Sequence, residues 1–267
     1  MPIRWILTAA AGLILLAAGA VPACAGVRDF TERTIQGALE QRSEQARAAG
    51  VEDNMGETKN QQRQGQAAAA GQDDGWITRP GPDGKQVRLF VQHPFMKPGD
   101  KPHFPALIVI QEWWGVNHDI EQRTQEFAAK GYYAMAVDLY DGHQTDDPQQ
   151  AAALKRRLTD EAARMKLKVG LSYLMDLTKA GIVAPQRVGA IGWCMGGHAA
   201  IDLAVSDPRI KATVLYYGTP VTDEKELANL KGPVLGIFGK ADKSISQAKV
   251  DAFEKGLADA GIKHQIL

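Results

Sequence analysis

The stretch Val188-Gly-Ala-Ile-Gly-Trp-Cys-Met-Gly-Gly197 decides how this chain is read. Val188 to Ile191 is a short apolar run of the kind that forms a buried strand. Cys194 sits two residues past Gly192 and two before Gly196, and Met195 to Ala204 reads as a helix of small residues. A strand, a sharp turn and a helix, with glycine on either side of the turn, let the backbone bend in a cramped space and leave room beside the side chain at the bend. That side chain is a thiol, so Cys194 reads as a nucleophile at the carboxyl end of a strand.

Working outward, apolar runs alternate with helical patterns. Trp76 to Arg79 and Gln86 to Val91 flank the turn-rich Pro80-Gly-Pro-Asp-Gly84 and read as a hairpin. Ala106 to Gln111 reads as a strand, Ile120 to Lys130 as a helix, Tyr133 to Val137 as a strand, and Pro148 to Lys179 as one long helical region. After the quoted stretch come strands at Ala212 to Tyr217 and Val234 to Phe238, a helix at Ser246 to Ala260, and the start of a further strand at Lys263 to Leu267. This alternation implies a mostly parallel sheet with helices on both faces, and it puts functional residues at the carboxyl ends of the strands.

The 267-residue chain has 45% hydrophobic residues, enough for a full core, and its 31 Lys plus Arg balance 31 Asp plus Glu. No basic cluster with interleaved aromatics is present, which argues against a nucleic-acid partner. Arg4, the apolar run Trp5 to Val21 and the small-residue site Ala23-Cys-Ala25 fit a signal peptide over residues 1–25. An uncleaved anchor and a lipid attached at Cys24 are the alternatives; Pro22 matches a lipoprotein site poorly. Cleavage predicts an exported protein, periplasmic or secreted, with no stable membrane association. It also leaves Cys194 without an internal partner, which marks a reactive thiol. The competing reading is a small buried hydrophobe. Residues 26–75 are polar and rich in Gln and Ala, and read as a linker preceding a folded domain at 76–267.

Glu112 follows the strand Leu107-Ile-Val-Ile110, and Asp242 follows Leu235-Gly-Ile-Phe238. A carboxylate after a core strand, downstream of the nucleophile, is where an orienting acid belongs in an α/β-hydrolase. Together, Gln111-Glu-Trp-Trp-Gly-Val-Asn117, Asp138-Leu-Tyr140, Gly192-Trp-Cys-Met-Gly-Gly197 and Gly239-Lys-Ala-Asp242 resemble the dienelactone hydrolase family (carboxymethylenebutenolidases and relatives), from about Trp76 onward. The resemblance implies an α/β-hydrolase fold and hydrolysis of a small ester or lactone through a cysteine thioester. It implies Cys194 as nucleophile, Asp242 as the acid that orients a histidine, and Glu112 as the carboxylate that helps ionise the thiol. The backbone N–H groups of Met195 and Trp113 would form the oxyanion hole, with Trp114, Trp193 and Tyr140 beside the substrate. Core packing is the other reading of the tryptophans. No cofactor and no metal are implied.

Two departures follow. The family's histidine lies in a loop after the last strand, and Lys263 to Leu267 reads as the start of that strand. The histidine is therefore expected beyond residue 267, and the chain reads as lacking its C-terminal end. Of the six histidines, His264 would fall inside the strand, His118 would start a helix, and His93, His103 and His143 lie in turn-like segments. His198, one helical turn after Cys194, reads as a packing or surface position, with a surrogate base as the alternative on spacing alone. Second, Asp141-Gly-His143 follows Tyr140 where the best-known family members carry a carboxylate-binding arginine. A catalytically inactive hydrolase-fold binding module is the competing reading of the whole chain.

Overall fold

The computed structural model describes residues 75–96 and 102–267. The signal peptide and nearly all of the polar linker lie outside these residues. The compact unit Gly75–Leu267 is built on one eight-stranded sheet in the order β1-β2-β4-β3-β5-β6-β7-β8. These strands are β1 (Trp76–Pro80), β2 (Gln86–Gln92), β3 (Phe104–Ile110), β4 (Tyr133–Val137), β5 (Val183–Trp193), β6 (Thr213–Tyr216), β7 (Val234–Ile237) and β8 (His264–Ile266). The β1–β2 hairpin and the β2–β4 pair are antiparallel. Every pair from β4 through β3, β5, β6 and β7 to β8 is parallel.

The central parallel strands are apolar on both faces, as sheets covered by helices must be. Tyr133–Val137 and Thr213–Tyr216 are buried at every position. The helices are α1 (His118–Ala129), α2 (Pro148–Arg157), α3 (Asp160–Lys179), α4 (Met195–Ser206), α5 (Glu224–Leu227) and α6 (Gln247–Asp259). Leu167, Leu171 and Leu174 of α3 pack in one cluster with Ile108, Ile110, Met135 and Val137, together with Ala200 and Leu203 of α4 and Phe253 and Leu257 of α6. Each fully buried leucine in that layer contributes about 1.5–3 kcal/mol. On the opposite face, α1 turns Ile120, Arg123, Thr124 and Phe127 inward.

The structure corrects the single helical region from Pro148 to Lys179. It is two helices, parted where Leu158 is extended (φ −83°, ψ 114°) and Thr159 caps α3 by accepting from Ala162 N. The signal was present: Thr159-Asp-Glu161 is a capping residue followed by two acids in the first turn. Thr159→Ala should cost about 1 kcal/mol, read as a melting point lower by about 2–4 °C for a domain of this size. An unchanged melt would show that packing alone fixes the break. The strand Val188–Ile191 is the end of a longer one, whose first part is interrupted by the exposed Pro185–Arg187. The four-residue α5, capped by Asp223, was not read from sequence.

Candidate active site

Cys194 stands between β5 and α4 with φ 53° and ψ −118°. A non-glycine residue at positive φ costs about 1–3 kcal/mol and persists only where its surroundings over-determine it. Here they do. Cys194 N donates to Tyr216 O (3.0 Å), and Gly197 N donates back to Cys194 O (3.1 Å). A Cβ on Gly192 would lie 2.0 Å from Gly196 O, and one on Gly196 would lie 2.4 Å from both Ile110 O and Gln111 O. The two glycines that frame the thiol are therefore required by close backbone approach.

The described chain has three non-glycine residues at positive φ: Asp141 (56°), Cys194 (53°) and Tyr217 (38°). They follow β4, β5 and β6, so backbone strain is concentrated along the carboxyl edge of the central sheet. Tyr217 was missed in the sequence, although it follows a strand just as Glu112 and Cys194 do. Its hydroxyl donates to Glu112 Oε1 (3.1 Å), across 105 residues of chain. Tyr217 is thus a bulky aromatic at φ 38° whose hydroxyl reaches the half-buried Glu112 carboxylate, a backbone outlier of the kind that clusters at functional sites.

The thiol is half-buried and free. Burial pushes its pKa above the ordinary value; the Met195 backbone N–H pulls it down, Glu112 and Asp242 push it up, and Lys155 of α2 pulls it down. Burial likewise raises the Glu112 carboxyl, against the Tyr217 hydrogen bond and the charge of Arg123, which lower it, and Asp119, which raises it. Tyr140 is buried, its phenol is pushed up to about 12 chiefly by that burial, and its hydroxyl donates to Met195 Sδ (3.3 Å). Burial thus pushes both the thiol and the neighbouring carboxyl toward their neutral forms. The rate of Cys194 alkylation by iodoacetamide should climb with pH to a midpoint above that of an exposed cysteine, since only the thiolate reacts. Glu112→Gln, which removes a facing negative charge, should lower that midpoint. A wild-type midpoint at or below the ordinary thiol value would contradict this electrostatic picture.

Asp242 follows β7 and accepts from Ser244 N (2.7 Å), Ser244 Oγ (2.7 Å) and Ile245 N (3.3 Å), all at Oδ1. These bonds, that from the Ser244 hydroxyl first, hold its carboxyl below the usual range. They also fix its orientation, with Oδ2 outside all three bonds. Trp113 and Trp114 lie in the turn closed by Gly115 N donating to Glu112 O (3.4 Å), and their rings meet edge-on at 4.9 Å. Both are partly exposed beside Glu112. Trp193 is different: it is 1% exposed, stacked on Tyr216 at 5.6 Å and capped by the Arg123 guanidinium at 4.9 Å. It is core on the α1 face and does not line an open pocket.

No histidine completes the group. His198 Nδ1 donates to Thr219 O (2.9 Å), and its Nε2 lies 3.9 Å from Asp160 Oδ2. His264 pairs with Val234, the first residue of β7, whereas Asp242 follows the last, so a strand length separates them. His118 opens α1, and His93, His103, His118 and His143 are exposed. Among the described residues no group of three or more His, Cys, Asp or Glu could hold a metal.

A mostly parallel sheet, a strained strand–cysteine–helix turn and acids after β3 and β7 define an α/β-hydrolase. Residues 94–267 match the model of the dienelactone hydrolase family, and the chain belongs to that family. Among relatives, it is 30% identical over 178 residues to "Putative carboxymethylenebutenolidase" of Methylorubrum extorquens, covering 61% of this chain and 60% of that one. It is also 30% identical over 187 residues to "Protein usf" of Aquifex pyrophilus, covering 67% and 77%. Among solved structures, one titled "Putative Dienelactone Hydrolase" from Klebsiella pneumoniae superposes with a TM-score of 0.60 at 25% identity, covering 72% of this chain and 83% of that one. The chain thus spans less than two thirds of the Methylorubrum protein.

Proposed function

We propose that this hydrolase acts on a small carboxylic ester or lactone through a thioester at Cys194, and that it works outside the cytoplasm, in the periplasm or secreted. The observation that carries the reading is the strained Cys194, held at φ 53° at the head of a twelve-residue helix. There the unpaired helix N–H groups favour negative charge as the thiol ionises. In acylation the thiol proton passes to Glu112 and the sulfur attacks the carbonyl carbon. The oxyanion is held by the N–H groups of Met195 and Trp113. The C–O bond then breaks, and the alkoxide leaves with the proton returned by Glu112. Water hydrolyses the thioester, with a base oriented by Asp242 taking its proton.

On this reading acylation draws on Cys194, Glu112 and the two backbone N–H groups, and an acyl-enzyme should form at Cys194. Incubation with p-nitrophenyl acetate followed by intact-protein mass measurement should show one acetyl group, mapped by peptide mass to Cys194. Turnover without an adduct would mean that deacylation outruns acylation, and Cys194→Ala would then decide whether the thiol takes part. An intact fold with neither adduct nor turnover would favour a non-catalytic binding module.

A further inference from the structure

Lys166 is a cation on the inward stripe of α3. It is buried with Ala163, Leu167 and Gly170 of the same helix and is 8% exposed. A lysine is almost never this buried unless its ammonium is paired. Here Nζ donates to Leu139 O (3.0 Å) and to Asp141 Oδ1 (2.6 Å). Both partners belong to the loop between β4 and α2, and the ester reaction as proposed makes no use of the ammonium.

The loop is tied at several further points. Asp138, 2% exposed, accepts from Tyr140 N (2.9 Å) at Oδ1 and from Gly142 N at Oδ2. His143 N donates to Tyr140 O (3.1 Å), closing a turn whose central residues, Asp141 and Gly142, both have positive φ (56° and 91°). From this turn contacts run to both sides of the thiol. On one side the Tyr140 hydroxyl donates to Met195 Sδ (3.3 Å). On the other, Thr145 N donates to Trp114 O (3.0 Å), and a Cβ on Gly115 would lie 2.4 Å from His143 O. Gln111 Oε1, at the end of β3, accepts from Leu139 N (3.0 Å). One loop therefore touches the residue after Cys194 and the turn that carries Trp113.

We infer that Lys166 is a positioning residue for the oxyanion hole. Its ammonium clamps the loop from Asp138 to Thr145, and the loop holds the Met195 and Trp113 N–H groups in register with each other. The inference rests on the reading of those two N–H groups as the donors to the oxyanion. Such donors stabilise charge only when they are aimed before it develops. These two follow different strands, β5 and β3, so a brace that reaches both fixes their separation. Lysine suits the task, because its apolar stem can lie among leucines while its ammonium serves a carbonyl and a carboxylate together.

The test compares two reactions of Cys194 in the full-length protein. Acylation by p-nitrophenyl acetate, followed as p-nitrophenolate release, passes through an oxyanion. Alkylation by iodoacetamide is a displacement at carbon and does not. Lys166→Met and Lys166→Gln remove the ammonium and leave the Asp141 side chain, 60% exposed, to water. Each should slow acylation by about 10–100-fold, while alkylation stays within about twofold of the parent, since it follows the thiolate alone. Thermal melts show which variants fold, and either one suffices. Acylation at the parental rate in a folded variant overturns the inference. So does an equal change in both reactions, which would make general loosening around the thiol the cause. If the parent itself takes up no acetyl group, it is the thioester reading that fails. The clamp is then read from amide hydrogen exchange, where Leu139 and Thr145 N–H should exchange at least about tenfold faster in the variants. Unchanged protection there overturns the clamp as well.

Discussion

Cys194→Ala should abolish covalent capture of an activated ester and lower ester hydrolysis by about 10⁴-fold or more, with a melting point close to that of the parent. The two halves of that expectation have separate grounds. The thiol is half-buried and makes no disulfide, so its removal deletes one sulfur at a site open to solvent. Alanine accepts φ 53° no more readily than cysteine does, so the strain of the turn is unchanged between parent and variant. Catalysis by the proposed thioester route has no such tolerance, because that route needs the sulfur. Residual turnover at the parental rate would show that Glu112 or a bound water performs the attack. That would remove the thioester from the mechanism.

The second large effect falls on a residue with no functional group. Gly192→Ala places a methyl 2.0 Å from Gly196 O and 2.3 Å from Gly196 C. Both are backbone atoms of the turn, and no flexible side chain can yield. The expected cost is at least about 3 kcal/mol, at the upper end of overpacking, or a melting point lower by about 6–12 °C. The thiol should lose its shielding as well, so iodoacetamide should modify it faster near neutral pH. A variant that melts like the parent would mean that β5 and α4 separate without penalty, contrary to the close approach described here.

The framework of this fold is visible in the sequence because it rests on local, periodic signals. Tyr133 to Val137 and the hairpin around Pro80–Gly84 are apolar runs and turn residues that need no knowledge of distant chain. The placement of Glu112, Cys194 and Asp242 after β3, β5 and β7 was legible for a related reason: each lies just past an apolar run, and strand ends are where such sheets carry chemistry. What escaped was set by contacts across the sheet. Tyr217 matters through a hydrogen bond to a residue 105 positions away, and nothing in Tyr216-Tyr217-Gly218 marks which tyrosine turns toward the site. Arg123 left a trace, since a charge on the inward stripe of a helix breaks the pattern, but the Trp193 ring beneath it belongs to another strand. Trp193 itself looked like a neighbour of the substrate because it adjoins Cys194. Strand alternation sends its ring to the α1 face, away from the thiol. The break at Leu158 was hidden by helical composition on both sides, though Thr159 announced it.

The order of the strands bears on how the thiol comes to exist in its shielded form. β3, which carries Glu112 at its end, pairs with β4 soon after it in sequence and with β5 only much later. The bond from Cys194 N to Tyr216 O forms only when β6 has joined. During synthesis Cys194 leaves the ribosome before the strand that locks it, and long-range parallel pairing is slow. Through that interval it is an ordinary flexible cysteine, open to oxidants. The burial that pushes its pKa up is a property of the closed sheet, so the thiol is least sheltered while the molecule folds.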